Sequence, residues 1–269
     1  MDKDEIYILT GATGSIGKEI AHSIAKDGYK VILACRNVTK AKELAERIKS
    51  ETRNNNIEVA ELKLDDLKSV RQFADEIMNS GIVVKALINN AGVMARTHSV
   101  TKDGYEEDYQ VNFISPALLT QLLIPRFSTD GIVIFTTSIT RKYCSIPIEF
   151  PDERHFSQLG TYSRSKRAIT MYAIHLAEEL KDTGIRINCA DPGVVDSSMI
   201  HLDRWFDSLS DIFFRPFISS PTQGALSILR ALNSQETGMV FNQKGRIPAY
   251  KGLKRMKNYN KVIETALKK

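Results

Sequence analysis

At 269 residues, with 42% hydrophobic and 26% charged residues, the chain has the balance of one large globular α/β domain, and no Pro/Gly/Ser-rich linker divides it. A net charge of +5 is too small to demand nucleic acid, and no apolar run approaches the length of a membrane span. Cys35, Cys144 and Cys189 form no Cys-x-x-Cys pair and the histidines show no metal-ligand spacing, which argues against a disulfide framework or a metal site.

The charged start Met1-Asp2-Lys3-Asp4-Glu5 has no leader character, so a cytoplasmic protein is expected. A strand is expected from Ile6 to Thr10 and a helix from Ser15 to Lys26, where Ile16, Ile20 and Ile24 recur at helical spacing. Between them, Thr10-Gly11-Ala12-Thr13-Gly14-Ser15-Ile16-Gly17 puts glycines where backbone can approach a pyrophosphate at a helix N-terminus. A triphosphate loop fits poorly, because its first glycine would fall on Ala12 and Glu19 would replace the magnesium-binding Ser/Thr.

The second strand, Val31 to Cys35, ends in Ala34-Cys35-Arg36-Asn37. That position reads the cofactor ribose in dinucleotide folds, with an acid for a 2′-hydroxyl or an arginine for a 2′-phosphate. Arg36 with no carboxylate beside it favours NADP(H), with NAD(H) as the alternative. Helices follow at Thr39 to Ser50 and Ser69 to Met78, with strands at Ile57 to Leu62 and Lys85 to Asn89. The order continues with a helix from Tyr105 to Pro125, a strand from Ile132 to Thr137, a helix from Tyr162 to Lys181 and a strand from Arg186 to Ala190. Such alternation predicts an α/β fold: a doubly wound parallel sheet with helices on both faces. Ser197 to Ser220 breaks the rhythm, scattering Trp205, Phe206, Phe213, Phe214 and Phe217 among charges, and reads as a substrate lid within the single domain. Lysines and Arg255 near the C-terminus read as a solvated face.

Tyr162-Ser163-Arg164-Ser165-Lys166 places a phenol and an ammonium on one helix face. A cation there is expected to stabilise phenolate and lower a tyrosine pKa that starts near ~10.

With the glycine turn, Asn89-Asn90-Ala91-Gly92, the Tyr162/Lys166 spacing and Pro192-Gly193, the sequence resembles the short-chain dehydrogenase/reductase family over nearly its whole length. Ala34-Cys35-Arg36-Asn37 and the run from Val111 to Thr120 look most like the retinol-dehydrogenase-like and protochlorophyllide-reductase-like branch. The resemblance implies a Rossmann-type sheet of about seven parallel strands in one domain over residues 1–269, and the aromatic segment at 197–220 is read as the lid within it. It also implies a catalytic tetrad. Tyr162 would be the general acid/base, and Lys166 would lower its pKa and contact the nicotinamide ribose. Ser138 would bond the substrate oxygen, with Thr137 as the alternative, and Asn112 would hold a water beside the lysine. Cofactor contacts carry over to Gly11, Gly14, Ser15, Ile16, Gly17, Arg36, Asn37, Asp65, Asn90, Ala91 and Gly92, to Tyr162 and Lys166, and to Pro192, Gly193, Val195 and Ser197.

The chain departs from the family pattern in three places. Ser15 occupies the middle glycine position of the commonest family turn. Lys63 aligns with an acid that touches adenine, and Asp65 lies two residues on. Arg141 to Gly160 reads as an insertion beside the active site.

The activity implied is hydride transfer between NADP(H) and a carbonyl or alcohol of an apolar small molecule, such as a sterol, retinoid, lipid-derived or aromatic compound. The alternatives are a ketoacyl-type reductase and a noncatalytic NADP-binding regulatory protein. Family members often pair through the helix that carries this tyrosine, so a homodimer or homotetramer is expected by resemblance.

Overall fold

The computed structural model describes residues 5–144, 153–195 and 219–247. The Trp205–Phe217 aromatics, Ser197, the middle of the 141–160 insertion and the C-terminal lysines lie outside them.

The expected βα alternation is present. Strands β1 (Glu5–Thr10), β2 (Lys30–Cys35), β3 (Ile57–Glu61), β4 (Val83–Asn89), β5 (Phe127–Thr136) and β6 (Arg186–Ala190) join β7 (Val240–Asn242) and β8 (Gly245–Ile247) in one sheet of order 3-2-1-4-5-6-7-8. Every neighbouring pair is parallel except β7 with β8, which is antiparallel. The antiparallel edge departs from an all-parallel expectation, and its physical basis is the tight Asn242–Gly245 turn, where the Asn242 side chain accepts from the Lys244 and Gly245 amides. Parallel strands buried on both faces need apolar side chains at successive positions, and β1 and β2 supply them, with every residue after the first buried.

The strand period of two divides these residues between two cores. Ile6 and Ile8 of β1 pack in one cluster with α3 (Leu67–Ser80), α5 (Ser115–Leu123) and α6 (Gln158–Glu179). Tyr7 and Leu9 pack in the other with α1 (Ser15–Lys26), α2 (Val38–Thr52) and α7 (Pro221–Leu232). The strand order reverses between β1 and β4, so a crevice opens at their carboxyl ends, where open α/β sheets bind ligands.

Two helices differ from their sequence reading in ways that bear on the site. The expected continuous helix from Tyr105 to Pro125 is a short α4 (Glu107–Tyr109), a π turn over Gln110–Ile114, and then α5. The π turn inserts one residue into the helix, and such turns recur at functional positions. Helix α6 begins at Gln158 rather than Tyr162: Ser157 is the extended cap, its carbonyl accepts from the Thr161 amide at 2.7 Å, and any Cβ at Gly160 would lie 2.3 Å from Ser157 Oγ. Tyr162 therefore sits in the second turn of its helix rather than at its head.

Candidate active site

The glycine turn leads from β1 into α1. Gly11 has φ +66°, a conformation that L side chains rarely adopt, and a Cβ there would meet Ala91 Cα at 2.7 Å. Gly17 lies against the Gly11 carbonyl, where a Cβ would be 2.3 Å away. Gly14 is the N-cap of α1, no side chain caps that helix, and no acid stands in its first turn. Uncapped amides and the positive end of the helix dipole thus face outward beside the exposed Gly14 and the half-buried Ser15 and Ile16.

The neighbouring strand end is tied to this turn. The Asn90 and Ala91 amides both donate to the Thr10 hydroxyl at 3.0 Å, and Asn90 Nδ2 donates to the carbonyls of Thr10 and Gly11. Thr10 is the hub of this junction and was not among the sequence-derived site residues. Its signal was available as the threonine that opens the Thr-Gly turn.

Arg36 and Asn37 follow β2 and are both exposed. Asn37 uses its side chain to cap α2, accepting from the Lys40 amide at 2.9 Å, whereas no carboxylate among the described residues pairs with Arg36. Lys63 pairs with Glu61 at 2.9 Å, and Lys63 and Asp65 together line a polar surface cavity of about 430 Å³ that no tetrad residue enters.

The four candidate catalytic residues converge at the carboxyl ends of β4 and β5. Lys166, 3% exposed, donates to the Thr136 carbonyl at 3.0 Å and has its ammonium 5.7 Å from the Tyr162 ring centre. The Ser138 hydroxyl is in hydrogen-bonding reach of the Tyr162 phenol. Thr137 is not an equivalent alternative. It is 1% exposed, and its hydroxyl is engaged with Thr170 Oγ1 at 2.6 Å and the Lys166 carbonyl at 3.2 Å, behind the site.

Asn112 sits inside the π turn. Its amide donates to the Val93 carbonyl at 2.8 Å and to Ser165 Oγ at 3.0 Å, while its oxygen accepts from the Val93 amide at 2.8 Å. Both amide protons are therefore committed to the protein. Gly92 makes the convergence sterically feasible, because a Cβ there would lie 3.0 Å from both Asn112 Oδ1 and Lys166 Nζ.

Electrostatics depart from the expected lowering of the tyrosine. Burial, the largest influence, pushes Tyr162 up to about 12, and the hydrogen bond from Ser138 offsets only part of this. The Lys166 ammonium, 5.7 Å from the ring centre, is not among the influences that offset burial. Burial also pulls Lys166 down to about 8, against the attraction of Asp108 and Asp191. Asp108, one helical turn before Asn112 and 0% exposed, is pushed up to about 7 by burial and by Glu106 and Glu107. One of its oxygens accepts from the Ala95 amide at 2.8 Å, and the other has no hydrogen-bond partner among the described residues. Neither Asp108 nor the buried pair Arg141–Asp191 stood out in sequence, since nothing in their spacing marks an acid or an arginine as interior.

After β6, Gly193 has φ +73° and its amide donates to Asp191 Oδ1 at 3.0 Å, while Gln243 donates to the Pro192 carbonyl. Val195 is buried, packed so that a Cβ on Gly224 of α7 would meet it at 2.7 Å. Among the described residues no helix is long and apolar enough to cross a membrane.

A positive-φ glycine turn at an uncapped helix start, in a fold that also brings a serine after β5 to a phenol and a lysine on α6, suits a dinucleotide held next to a proton-transfer site. The fold and site define an NAD(P)-dependent oxidoreductase acting on alcohols and carbonyls.

Comparison with known proteins narrows this. Residues 5–205 match the family model described as short chain dehydrogenase. Human retinol dehydrogenase 12 is 34% identical over 228 residues, covering 84% of this chain and 72% of the relative. The crystal structure of an uncharacterized protein from Mycobacterium paratuberculosis superposes with a TM-score of 0.78 at 27% identity, over 98% of this chain and 93% of that one. A short-chain dehydrogenase from Sphingobium yanoikuyae in complex with NADPH shares the fold with a TM-score of 0.69 at 20% identity, over 88% of this chain and 87% of that one. The chain belongs to the short-chain dehydrogenase family, in its retinol-dehydrogenase-like branch.

Proposed function

We propose that the protein transfers a hydride between NADP(H) and the carbonyl or alcohol carbon of an apolar substrate. The observation that carries the coenzyme assignment is Arg36, exposed directly after β2 with no carboxylate among the described residues to neutralise it. A guanidinium there can pair a 2′-phosphate in a charge-assisted contact, whereas an acid would be needed to favour the bare 2′-hydroxyl. The NADPH held by the Sphingobium relative is consistent with this reading.

The residues that would hold the dinucleotide are the Gly11–Gly17 turn and Arg36, with Asn37 and Asp65 nearer the adenosine. Asn90, Ala91, Gly92, Pro192, Gly193 and Val195 would line the nicotinamide side. Ser197, proposed for the carboxamide, lies outside the described residues. When bound, the nicotinamide supplies or accepts the hydride.

The chain's own residues manage the proton. With its pKa raised to about 12, Tyr162 is a protonated phenol through the neutral range, which suits donation to the oxygen of a carbonyl being reduced. Ser138, within reach of that phenol, would bond the same substrate oxygen and steady its developing charge. Lys166, with a pKa near 8, is poised to give up and regain a proton close to neutrality, as a group that reprotonates Tyr162 must. Asn112 ties the loop at Val93 to the π turn, while the Lys166 ammonium is anchored through its bond to the Thr136 carbonyl.

The test is a panel of carbonyls and alcohols, from small polar to bulky apolar compounds, followed at the nicotinamide absorbance with NADPH and NADH in parallel. The expected result is turnover of bulky apolar members with NADPH exceeding NADH in kcat/KM. Preference for NADH, or turnover confined to small polar compounds, would contradict the proposal.

A further inference from the structure

Ser138 and the Pro192-Gly193 turn come from adjacent strands. The β5–β6 ladder pairs Thr136 with Ala190, and one further backbone bond runs from the Thr137 amide to the Ala190 carbonyl at 2.8 Å. Beyond that point the two chain segments diverge, and a pair of side chains spans the gap. Arg141 Nη1 donates to the Ser138 carbonyl at 2.6 Å and to Asp191 Oδ2 at 2.7 Å. The other carboxylate oxygen, Asp191 Oδ1, accepts from the Gly193 amide at 3.0 Å. The two side chains are 6% and 4% exposed. Ser138, Arg141, Asp191 and Gly193 therefore form one continuous polar chain under the site, joining the serine loop to the proline-glycine turn.

A buried ion pair is a poor means of adding stability, because desolvation offsets most of the attraction and an apolar pair of similar volume does as well. What it supplies here is fixed direction: a single guanidinium nitrogen is shared between the serine carbonyl and the carboxylate. The 3-10 turn Ile139–Tyr143 that carries Arg141 folds it back over Ser138, and the Arg141 amide also bonds the Ser138 carbonyl at 3.2 Å.

We propose that Arg141 and Asp191 are positioning residues that set the Ser138 hydroxyl relative to the Pro192-Gly193 turn, and so align the substrate oxygen with the nicotinamide side of the site. The inference rests on the proposed roles of Ser138 and that turn. It also explains why an arginine in the 141–160 insertion points into the protein: its guanidinium braces the catalytic serine from beneath. Misplacement of a reacting group by about 1 Å can cost on the order of 100-fold in rate, so a brace of this kind is expected to act on kcat more than on substrate KM.

The experiment compares kcat, KM and unfolding midpoint for Arg141→Met, for the neutral pair Arg141→Met/Asp191→Asn, for Ser138→Ala, and for Arg141→Met in the Ser138→Ala background. The neutral pair avoids stranding a buried carboxylate, so it provides a folded protein even if Arg141→Met alone does not fold. Expected is a folded neutral pair with kcat about 10- to 100-fold lower and substrate KM within about threefold. In the Ser138→Ala background, loss of Arg141 should then cost less than about threefold more, because the arginine acts through the serine. A neutral pair with undiminished kcat, or the same fold-loss from Arg141→Met in both backgrounds, would overturn the positioning role while leaving Ser138 in place. Undiminished kcat in Ser138→Ala would remove the serine assignment itself, and the brace with it.

Discussion

Lys166 and Asp108 are buried groups whose shifts act on stability in opposite directions. Lys166 falls from 10.5 to about 8, chiefly through burial, so between those values the folded chain holds fewer protons than the unfolded one and stability rises with pH. Asp108 rises from 3.8 to about 7, again chiefly through burial. Across that window the folded chain holds more protons, and stability falls as pH rises. Denaturant unfolding measured over a pH series should therefore show a decline on the acid side that Asp108→Asn flattens. It should also show a rise above pH 8 that Lys166→Met removes, with Lys166→Met more stable than wild type at neutral pH and without turnover. A wild-type profile flat between about pH 8 and 10 would contradict the buried, destabilising lysine. Such a lysine costs stability, a cost that its proposed part in proton transfer would account for. The Tyr162/Lys166 couple was legible in sequence because an i,i+4 spacing on a helix fixes a shared face. Its electrostatics were not, because the balance between burial and attraction depends on where the ammonium lies relative to the phenol oxygen.

At the scale of elements, the site depends on close approach of the loop after β4 to the π turn and α6. Gly92 is the contact point, with Asn112 Oδ1 and Lys166 Nζ each 3.0 Å from where a Cβ would be. Gly92→Ala should fold with a loss of about 1–3 kcal/mol and lower kcat by about tenfold or more, read from urea unfolding and steady-state rates. Unchanged kcat would show that the lysine does not need this spacing. Strands β1 to β6 were legible from the sequence, except that β5 begins at Phe127 rather than Ile132, because its polar first residues Ser128 to Asp130 carry no apolar run. Strand β7 has three residues, too few for a period, and exists through its pairing of Cys189 with Val240. Helix α7 carried a readable start, since Ser220 and Gln223 form a capping box around Pro221, but its Ala225, Ile228 and Ala231 stripe is short. The start of α6 was hidden because Gln158 to Thr161 has no apolar periodicity and is set by the Ser157 cap. The π turn leaves no composition signal, since it changes only which carbonyl each amide meets.

Over the whole molecule, two cores clamp a single sheet whose strand order reverses at the glycine turn, so a ligand seated there bridges elements from both faces. A ligand that binds only the folded chain adds about 2.7 kcal/mol at 100 times its dissociation constant. For a chain of this size that is roughly 5–10 °C in unfolding midpoint. NADPH should give such a shift, and Arg36→Ala should reduce it while leaving the smaller NADH shift intact. Equal loss with both coenzymes would count against the phosphate role. At the site itself, the half-buried phenol of Tyr162 is proposed to carry the proton in hydride transfer. The most direct measurement is kcat of Tyr162→Phe at saturating coenzyme and saturating substrate, with coenzyme binding checked by its thermal shift. Coenzyme binding should be retained and kcat should fall by at least about 100-fold; normal turnover in that variant would rule out Tyr162 as the proton donor.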